Sequence, residues 1–319
     1  MEFSLIERIR ERTAQGREDV RIGIGDDAAV LILPTGQEQV VAIDTMVEGV
    51  HFPPGTSSAD IGWKALAVNL SDLAAMGASP AWALLALTMP HADVDFVDGF
   101  AEGFAELARP YRLALVGGDT TRGALTVSVA VHGFAPPGKT LTRAAARVGD
   151  AILVTGTLGD AAAGLYCLQH AVEASSHRDY LVGRLNRPAP RVAAGMALRD
   201  IAHACIDVSD GLLADLGHIC IASGVGAEIE AGLLPHSSAM LSLFGDTTAR
   251  DFALSGGDDY ELCFTVPAAH VAEAMADLAR MGCGATRIGR VVEGQGVQVR
   301  DAQGQWLDTS RRGWEHFSR

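Results

Sequence analysis

Gly23-Ile24-Gly25-Asp26-Asp27-Ala28-Ala29-Val30 sets two adjacent carboxylates, flanked by glycine, between apolar runs. Paired aspartates disfavour a strand interior and are costly in a buried turn. They mark either a wet turn between strands or a place where cations are held. The same arrangement recurs at Val40-Val41-Ala42-Ile43-Asp44, at Leu115-Val116-Gly117-Gly118-Asp119, and at Ile206-Asp207-Val208-Ser209-Asp210. It returns once more at Gly256-Gly257-Asp258-Asp259. Apolar runs that end in acidic turns, in both halves of the chain, are the pattern around which the fold is read.

Working outward, helical periodicity over residues 4–15 is followed by apolar strands near 20–24, 28–33 and 39–43. Asp60 offers a cap for a helix reaching about Met76, with Leu66, Leu70 and Leu73 on one face. Asn69 and Asp72 lie three apart on that helix, so both reach the same place, and their neighbours are too apolar for a wet face. Residues 82–89 read as a buried strand, and Phe96, Phe100, Phe104 and Leu107 as the packed stripe of a helix. Strands follow near 113–117 and 125–134, and Pro136-Pro137-Gly138 breaks the pattern. The second half gives a strand at 151–155, helices near 178–186, 190–201 and 212–223, and strands ending at Asp207 and covering 226–230. Its last part alternates strand 261–266, helix 268–281 and strands near 286–292 and 296–300. Strands and helices mixed in both halves predict an α/β (α+β) protein of two domains, 1–137 and 138–319.

The 319 residues are 48% hydrophobic and only 20% charged, which supports a sizeable core and excludes wholesale disorder. A net charge of −14, from 39 acidic and 25 basic residues, argues against nucleic acid as a partner. Five widely spaced cysteines without a C-x-x-C pair read as reduced thiols of a cytoplasmic protein. Acids near the N-terminus do not fit a signal peptide, and the uncharged stretch 73–92 is interrupted by Gly77, Pro80 and Pro90. The expectation is a soluble protein with no membrane partner.

Two carboxylates about 4 Å apart repel by roughly 4 kcal/mol at an effective dielectric of 20, so aspartates that converge require cations. Without His or Cys beside them, oxygen-only coordination favours Mg²⁺, Mn²⁺ or Ca²⁺. Mg²⁺ held by a few carboxylates and by substrate phosphates is the usual equipment of phosphoryl transfer. Gly133-Phe134-Ala135-Pro136-Pro137-Gly138-Lys139-Thr140 satisfies the P-loop pattern, but Pro137 has no N–H to give a phosphate and little room is left for the helix a P-loop needs. His51, just after Asp44, reads on its own as a structural or surface histidine.

The chain resembles the thiamine-monophosphate kinase family, within the superfamily that includes aminoimidazole-ribonucleotide synthetase and selenophosphate synthetase. The resemblance rests on Gly23-Ile24-Gly25-Asp26-Asp27, Asp44-Thr45-Met46-Val47-Glu48-Gly49-Val50-His51-Phe52, residues 64–78, and Gly117-Gly118-Asp119-Thr120-Thr121. It continues through Val154-Thr155-Gly156, Asp207-Val208-Ser209-Asp210-Gly211-Leu212, Ser255-Gly256-Gly257-Asp258-Asp259-Tyr260-Glu261-Leu262 and Gly313-Trp314-Glu315-His316-Phe317. It implies ATP-dependent phosphorylation of thiamine monophosphate to thiamine diphosphate by direct in-line transfer. It implies a homodimer formed through the N-terminal sheets and a C-terminal α/β domain that closes the cleft.

By the same resemblance, Asp27, Asp44, Asp72, Asp119, Asp207 and Asp210 would bind several Mg²⁺ ions, without a dedicated catalytic acid or base. Gly118, Asp119, Tyr111, Arg143 and Ser209 would contact ATP, and His51, Asp258 and Trp314 the thiamine substrate. Two positions depart from the family pattern. Ala42 and Ile43 stand where hydroxyl residues are common, and Asp258 stands where Glu is common.

Overall fold

The computed structural model describes residues 2–308, with side chains from Ser4 onward; Trp314 and the rest of the Gly313–Phe317 motif lie outside the described residues. Two compact units emerge. One runs to Leu73 and resumes at Ala78–Gly138; the other combines Ala74–Gly77 with the described residues from Lys139 on.

In the first unit, helix α1 (Glu2–Arg12) precedes a short antiparallel pair, β1 (Val20–Ile22) and β2 (Val30–Leu31). The main sheet contains β3 (Glu38–Val47), β4 (Ser79–Met89), β5 (Ala114–Arg122) and β6 (Thr126–Ala135), in the order β3-β6-β4-β5. Only β4 and β5 run parallel, and the helix α3 (Val94–Tyr111) makes the crossover that a parallel pair requires. Period-two alternation decides the faces. Met46, Leu85, Leu87, Val127, Val129 and Val131 are buried on one side, while Val41 and Ile43 on the other are 56% and 66% exposed. Helix α2 (Ser58–Ala75) lies against the buried face of the sheet, where the Asn69 side chain accepts the Asp44 N–H at 2.9 Å.

Helices α2 and α3 meet through glycine. A Cβ on Gly62 would overlap the Phe100 carbonyl, one on Gly103 the Ala59 carbonyl, and one on Gly99 the Ser58 hydroxyl. Phe96, Phe100 and Phe104 stack along α3 with ring centroids 6.2 and 6.4 Å apart, the latter two fully buried, as the helical stripe predicts.

The second unit is built on a six-stranded mixed sheet ordered β12-β9-β11-β7-β10-β8. Its strands are β7 (Ala151–Thr155), β8 (Ala204–Asp207), β9 (Gly226–Glu230), β10 (Leu262–Val266), β11 (Ala285–Val292) and β12 (Gly296–Arg300). Six helices accompany them: α4 (Asp160–Gln169), α5 (Ser176–Asn186), α6 (Val192–Leu198), α7 (Leu212–Ser223), α8 (Ser238–Ser255) and α9 (Val271–Arg280). One apolar cluster joins Ile152, Val154, Ile206 and Ile288 of the sheet to Leu212, Leu216 and Ile219 of α7. A second gathers Ala163, Cys167, Leu181, Met240 and Ala249 from α4, α5 and α8. The five cysteines are buried and unbridged.

Three local departures from the sequence reading have physical causes. Asp44 sits three residues before the end of β3 rather than at it, because Met46 beyond it still has a core position to fill. Ser57, not Asp60, caps α2, since its hydroxyl oxygen accepts the Asp60 N–H at 3.1 Å. Helix α8 escapes the periodicity reading because Gly245 (φ 70°) breaks it into two segments whose apolar faces do not share one phase. The uncharged stretch 73–92 divides into a helix end, a turn and β4, and no described helix is long and apolar enough to cross a membrane.

The close approach of α2 and α3 gives a direct test. Gly103→Ala should destabilise the protein by about 2 kcal/mol, because overlap with fixed main chain outweighs the gain of about 1 kcal/mol in helix propensity. Gly183→Ala, at an open position on α5, should stabilise it by up to about 1 kcal/mol. Urea midpoints of the two variants should move in opposite directions.

Candidate active site

In the first unit, Asp26 and Asp27 form an exposed turn after Gly25, whose φ of 125° is open only to glycine. Asp26 Oδ1 accepts the Asp27 N–H at 2.9 Å, and both side chains are exposed. Asp44 and Asp72 share a neighbourhood through Asn69. The fully buried Asn69 donates to the Ala65 carbonyl at 3.0 Å and accepts the Asp44 N–H, and Asp72 follows three residues later on α2. His51 closes the turn after β3, its Nδ1 accepting the Val47 N–H at 3.0 Å. That bond leaves Nε2 as the ring's N–H when the imidazole is neutral. Lys64, 2% exposed, donates its ammonium to the His51 carbonyl at 3.0 Å and fixes the same turn from α2.

Asp119 lies elsewhere on the sheet. Its register row runs Asp119, Ala86, Ser128, Thr45, whereas Asp44 shares a row with Val129, Leu85 and Gly118. Adjacent rows face opposite sides, and three strand spacings separate β5 from β3, about 14 Å. The structure therefore places Asp72 three residues beyond the Asn69 that binds the Asp44 main chain, and turns Asp119 to the opposite face of the sheet from Asp44. Gly118 has a packing reason of its own, since a Cβ there would overlap the Leu85 carbonyl of β4. Tyr111 is half-buried at the end of α3.

In the second unit, Asp207 ends β8 at 4% exposure, and Ser209 and Asp210 occupy the turn into α7. The Gly256–Tyr260 segment lies along this turn. The Asp258 N–H donates to the Ser209 carbonyl at 2.8 Å and the Tyr260 N–H to the Val208 carbonyl at 2.9 Å. Asp258 and Tyr260 both hold positive φ, 69° and 51°, an unfavourable conformation for such residues that surrounding structure must enforce. The Tyr260 hydroxyl then donates to Asp258 Oδ1 at 3.0 Å, so the substrate-binding candidate is held in a set direction. Arg143 is exposed. The P-loop pattern leads into no helix, and its lysine, Lys139, pairs with Asp200 at 2.6 Å.

Three buried carboxylates were given no site role in the sequence reading. Asp215 Oδ2 accepts the N–H groups of Ser209, Asp210 and Gly211, each at 3.0 Å. Burial first, then the charges of Asp207 and Asp210, push its carboxyl up to about 8. Asp259, 1% exposed between the two strained residues, accepts from the N–H groups of Gly159 at 2.6 Å and Ala161 at 3.2 Å. Glu261, fully buried, takes a bidentate pair from Arg191 at 2.6 and 2.6 Å, with Arg184 at 2.8 Å and the Thr155 hydroxyl at 2.7 Å. The available signal was the Asp-Asp-Tyr-Glu run entering a strand, where a sequence this acidic needs partners.

Among the described residues, no three His, Cys, Asp or Glu side chains form a ready-made metal cage. The donors suit Mg²⁺ nonetheless. They are all hard oxygens, and Asp207 and Asp210 each lie close enough to Asp215 for their charges to raise its carboxyl. Mg²⁺ is usually held by one or two carboxylates, with water and substrate phosphates completing its octahedron.

Burial pushes the Asp259 carboxyl up to about 8, against an ordinary value near 4. The folded state thus keeps a proton that the unfolded state has released. Its contribution to stability is complete below about pH 4 and is lost as pH rises towards 8. The stability difference between the wild type and Asp259→Asn should fall from pH 5.5 to 8, by about 1.4 kcal/mol per unit at most, in urea titrations.

The family models for AIR synthase related protein match in order, the N-terminal domain over residues 25–135 and the C-terminal domain over 147–302. A thiamine-monophosphate kinase of Salmonella typhimurium is 48% identical over 322 aligned positions, covering 99% of this chain and 98% of the relative. The crystal structure of thiamine-monophosphate kinase from Stenotrophomonas maltophilia K279a is 50% identical, with a TM-score of 0.89 over 96% of this chain and 97% of that one. AaThiL complexed with AMPPCP and TMP is 34% identical, with a TM-score of 0.79 over 99% of this chain and 96% of that one. Two domains in the matching order, end-to-end identity of this size and a shared fold have one reading: the chain belongs to the thiamine-monophosphate kinase family.

Proposed function

We propose that the protein transfers the γ-phosphoryl group of ATP to thiamine monophosphate, giving ADP and thiamine diphosphate. The observation that carries this reading is the full-length likeness to AaThiL, whose structure holds AMPPCP and TMP. AMPPCP is ATP with a methylene in place of the β–γ bridging oxygen, so the two ligands correspond to donor and acceptor.

In the proposed reaction, an oxygen of the acceptor phosphate attacks the γ-phosphorus in line. The new P–O bond forms as the bond to the β–γ bridging oxygen breaks, and that oxygen leaves with ADP. The acceptor is already an oxyanion at neutral pH, so no general base is required. Positioning and charge neutralisation supply the acceleration. Bound Mg²⁺ would draw charge from the donor phosphates and the leaving oxygen. Asp27, Asp44, Asp72, Asp119, Asp207 and Asp210 would share the holding of several such ions. Gly118, Tyr111, Arg143 and Ser209 would orient ATP.

His51 and Asp258 would orient thiamine monophosphate, with Trp314 offering an aromatic face to its cationic ring. The Tyr260 hydroxyl supports the Asp258 role by aiming a carboxylate that is one methylene shorter than Glu.

The first domain would serve as the dimerisation and nucleotide-binding half, and the second as the half that closes over the substrates. Dimerisation is supported by the outer face of the first sheet, where Val41, Ile43 and Leu84 are 56%, 66% and 38% exposed. Asp119 belongs to that same face, so pairing two such sheets would put its carboxylate against the partner chain. A cytoplasmic setting suits the five unbridged cysteines.

One assay decides the reading: incubation with ATP, Mg²⁺ and thiamine monophosphate should yield ADP and thiamine diphosphate together. ADP released at the same rate without the acceptor would instead make the protein a phosphohydrolase. Asp72→Asn and Asp210→Asn should each lower turnover by 100-fold or more while leaving thermal melting within a few degrees of wild type. Near-normal turnover of either would contradict its metal role.

A further inference from the structure

The turn Val208–Gly211 carries Asp210 and Ser209 and follows Asp207 directly, so its shape fixes the direction of three proposed ligand groups. Its main-chain groups are satisfied from two sides. The carbonyls of Val208 and Ser209 accept from Tyr260 and Asp258. The three successive N–H groups of Ser209, Asp210 and Gly211 converge on one atom, Asp215 Oδ2, at 3.0 Å each. Consecutive N–H groups turned inward on one point form a nest, a concavity that commonly receives an anion such as a phosphate oxygen. Here the acceptor is built into the chain. Asp215 is in the first turn of α7, is 3% exposed, and reaches back to fill the nest. Gly211, at φ 119° and with Ser255 main chain where a Cβ would go, lets the third N–H face inward.

We infer that Asp215 is a positioning residue for the proposed kinase site, its one carboxylate oxygen locking the Ser209–Gly211 amides so that Asp207 and Asp210 are presented together to a divalent cation. Its occupancy of the nest also closes these amides to the nucleotide. Donor phosphates must then be met by the Ser209 side chain and by cation-bearing carboxylates rather than by a main-chain cradle. The role is one of geometry and requires an acceptor atom at Oδ2. Asn can supply that acceptor through its own Oδ1; Ala cannot. The inference rests on the function proposed above, and metal binding measured without turnover keeps the two separable.

The test uses the full chain and Mn²⁺ as the probe, with binding followed by electron paramagnetic resonance and turnover assayed in parallel. Asp215→Ala should raise the Mn²⁺ dissociation constant at least tenfold and increase by a similar factor the Mg²⁺ concentration needed for half-maximal turnover. Asp215→Asn should stay within about threefold of wild type in both. Wild-type Mn²⁺ affinity in Asp215→Ala would overturn the inference. So would a tenfold loss in a well-folded Asp215→Asn, which would assign the effect to charge and not to the amide lock. Should Asp215→Ala fail to fold by circular dichroism, the Asn variant still decides. A wild type that binds Mn²⁺ yet makes no thiamine diphosphate would refute the proposed function and leave the binding comparison intact.

Discussion

A carboxylate taken out of water costs several kcal/mol unless its oxygens find donors, and the second unit depends on how that requirement is met. Asp215 binds three amides of one turn, Asp259 binds two amides around the start of α4, and Glu261 binds two guanidinium groups and a hydroxyl. Each of these carboxylates ties together segments far apart in sequence. Asp259 reaches across about 100 residues, and Glu261 joins the end of β7 to α5 and to the loop before α6. Turns that would otherwise be free to move become fixed surfaces on which the exposed acids can be displayed.

The first unit solves a similar problem with an amide and an ammonium. Asn69 is an amide buried completely, and it holds a strand amide on one side and a helix carbonyl on the other. Lys64 turns its ammonium inward to a carbonyl beside His51. Asn69, Lys64 and Asp215 are thus more deeply buried than the proposed ligands Asp44, Asp72 and Asp210. This division follows from chemistry: a supporting group must be dry to be rigid, whereas a group that meets substrate must be reachable.

Much of the site was legible in the sequence because its residues announce themselves by being out of place. Aspartates after apolar runs at 44, 119 and 207 cannot be explained by packing, and glycines beside them leave room for main chain. The strongly periodic elements, such as the phenylalanine stripe of α3 and the short buried strands β7 and β10, were equally plain. Less legible were the residues that act through others. Asp215 looks like any acidic residue in a first helical turn, and its three amides come into view only when the turn is folded. Helix α8 was hidden for a different reason, since a glycine kink at Gly245 divides its apolar pattern into pieces too short to read.

The sequence by itself determined the alternation of strands and helices, the two-part organisation of the chain and the acidic side-chain types of the candidate site. Those properties follow from periodicity, punctuation and side-chain type, all of which are local. Only the tertiary structure decided which acids are neighbours. Asp44 is tied to α2 through Asn69, while Asp119 is turned to the other face of the same sheet by a register offset of one residue. A side chain's face depends on strand pairing, and pairing is fixed by core burial summed over the whole sheet, which no short stretch of sequence encodes.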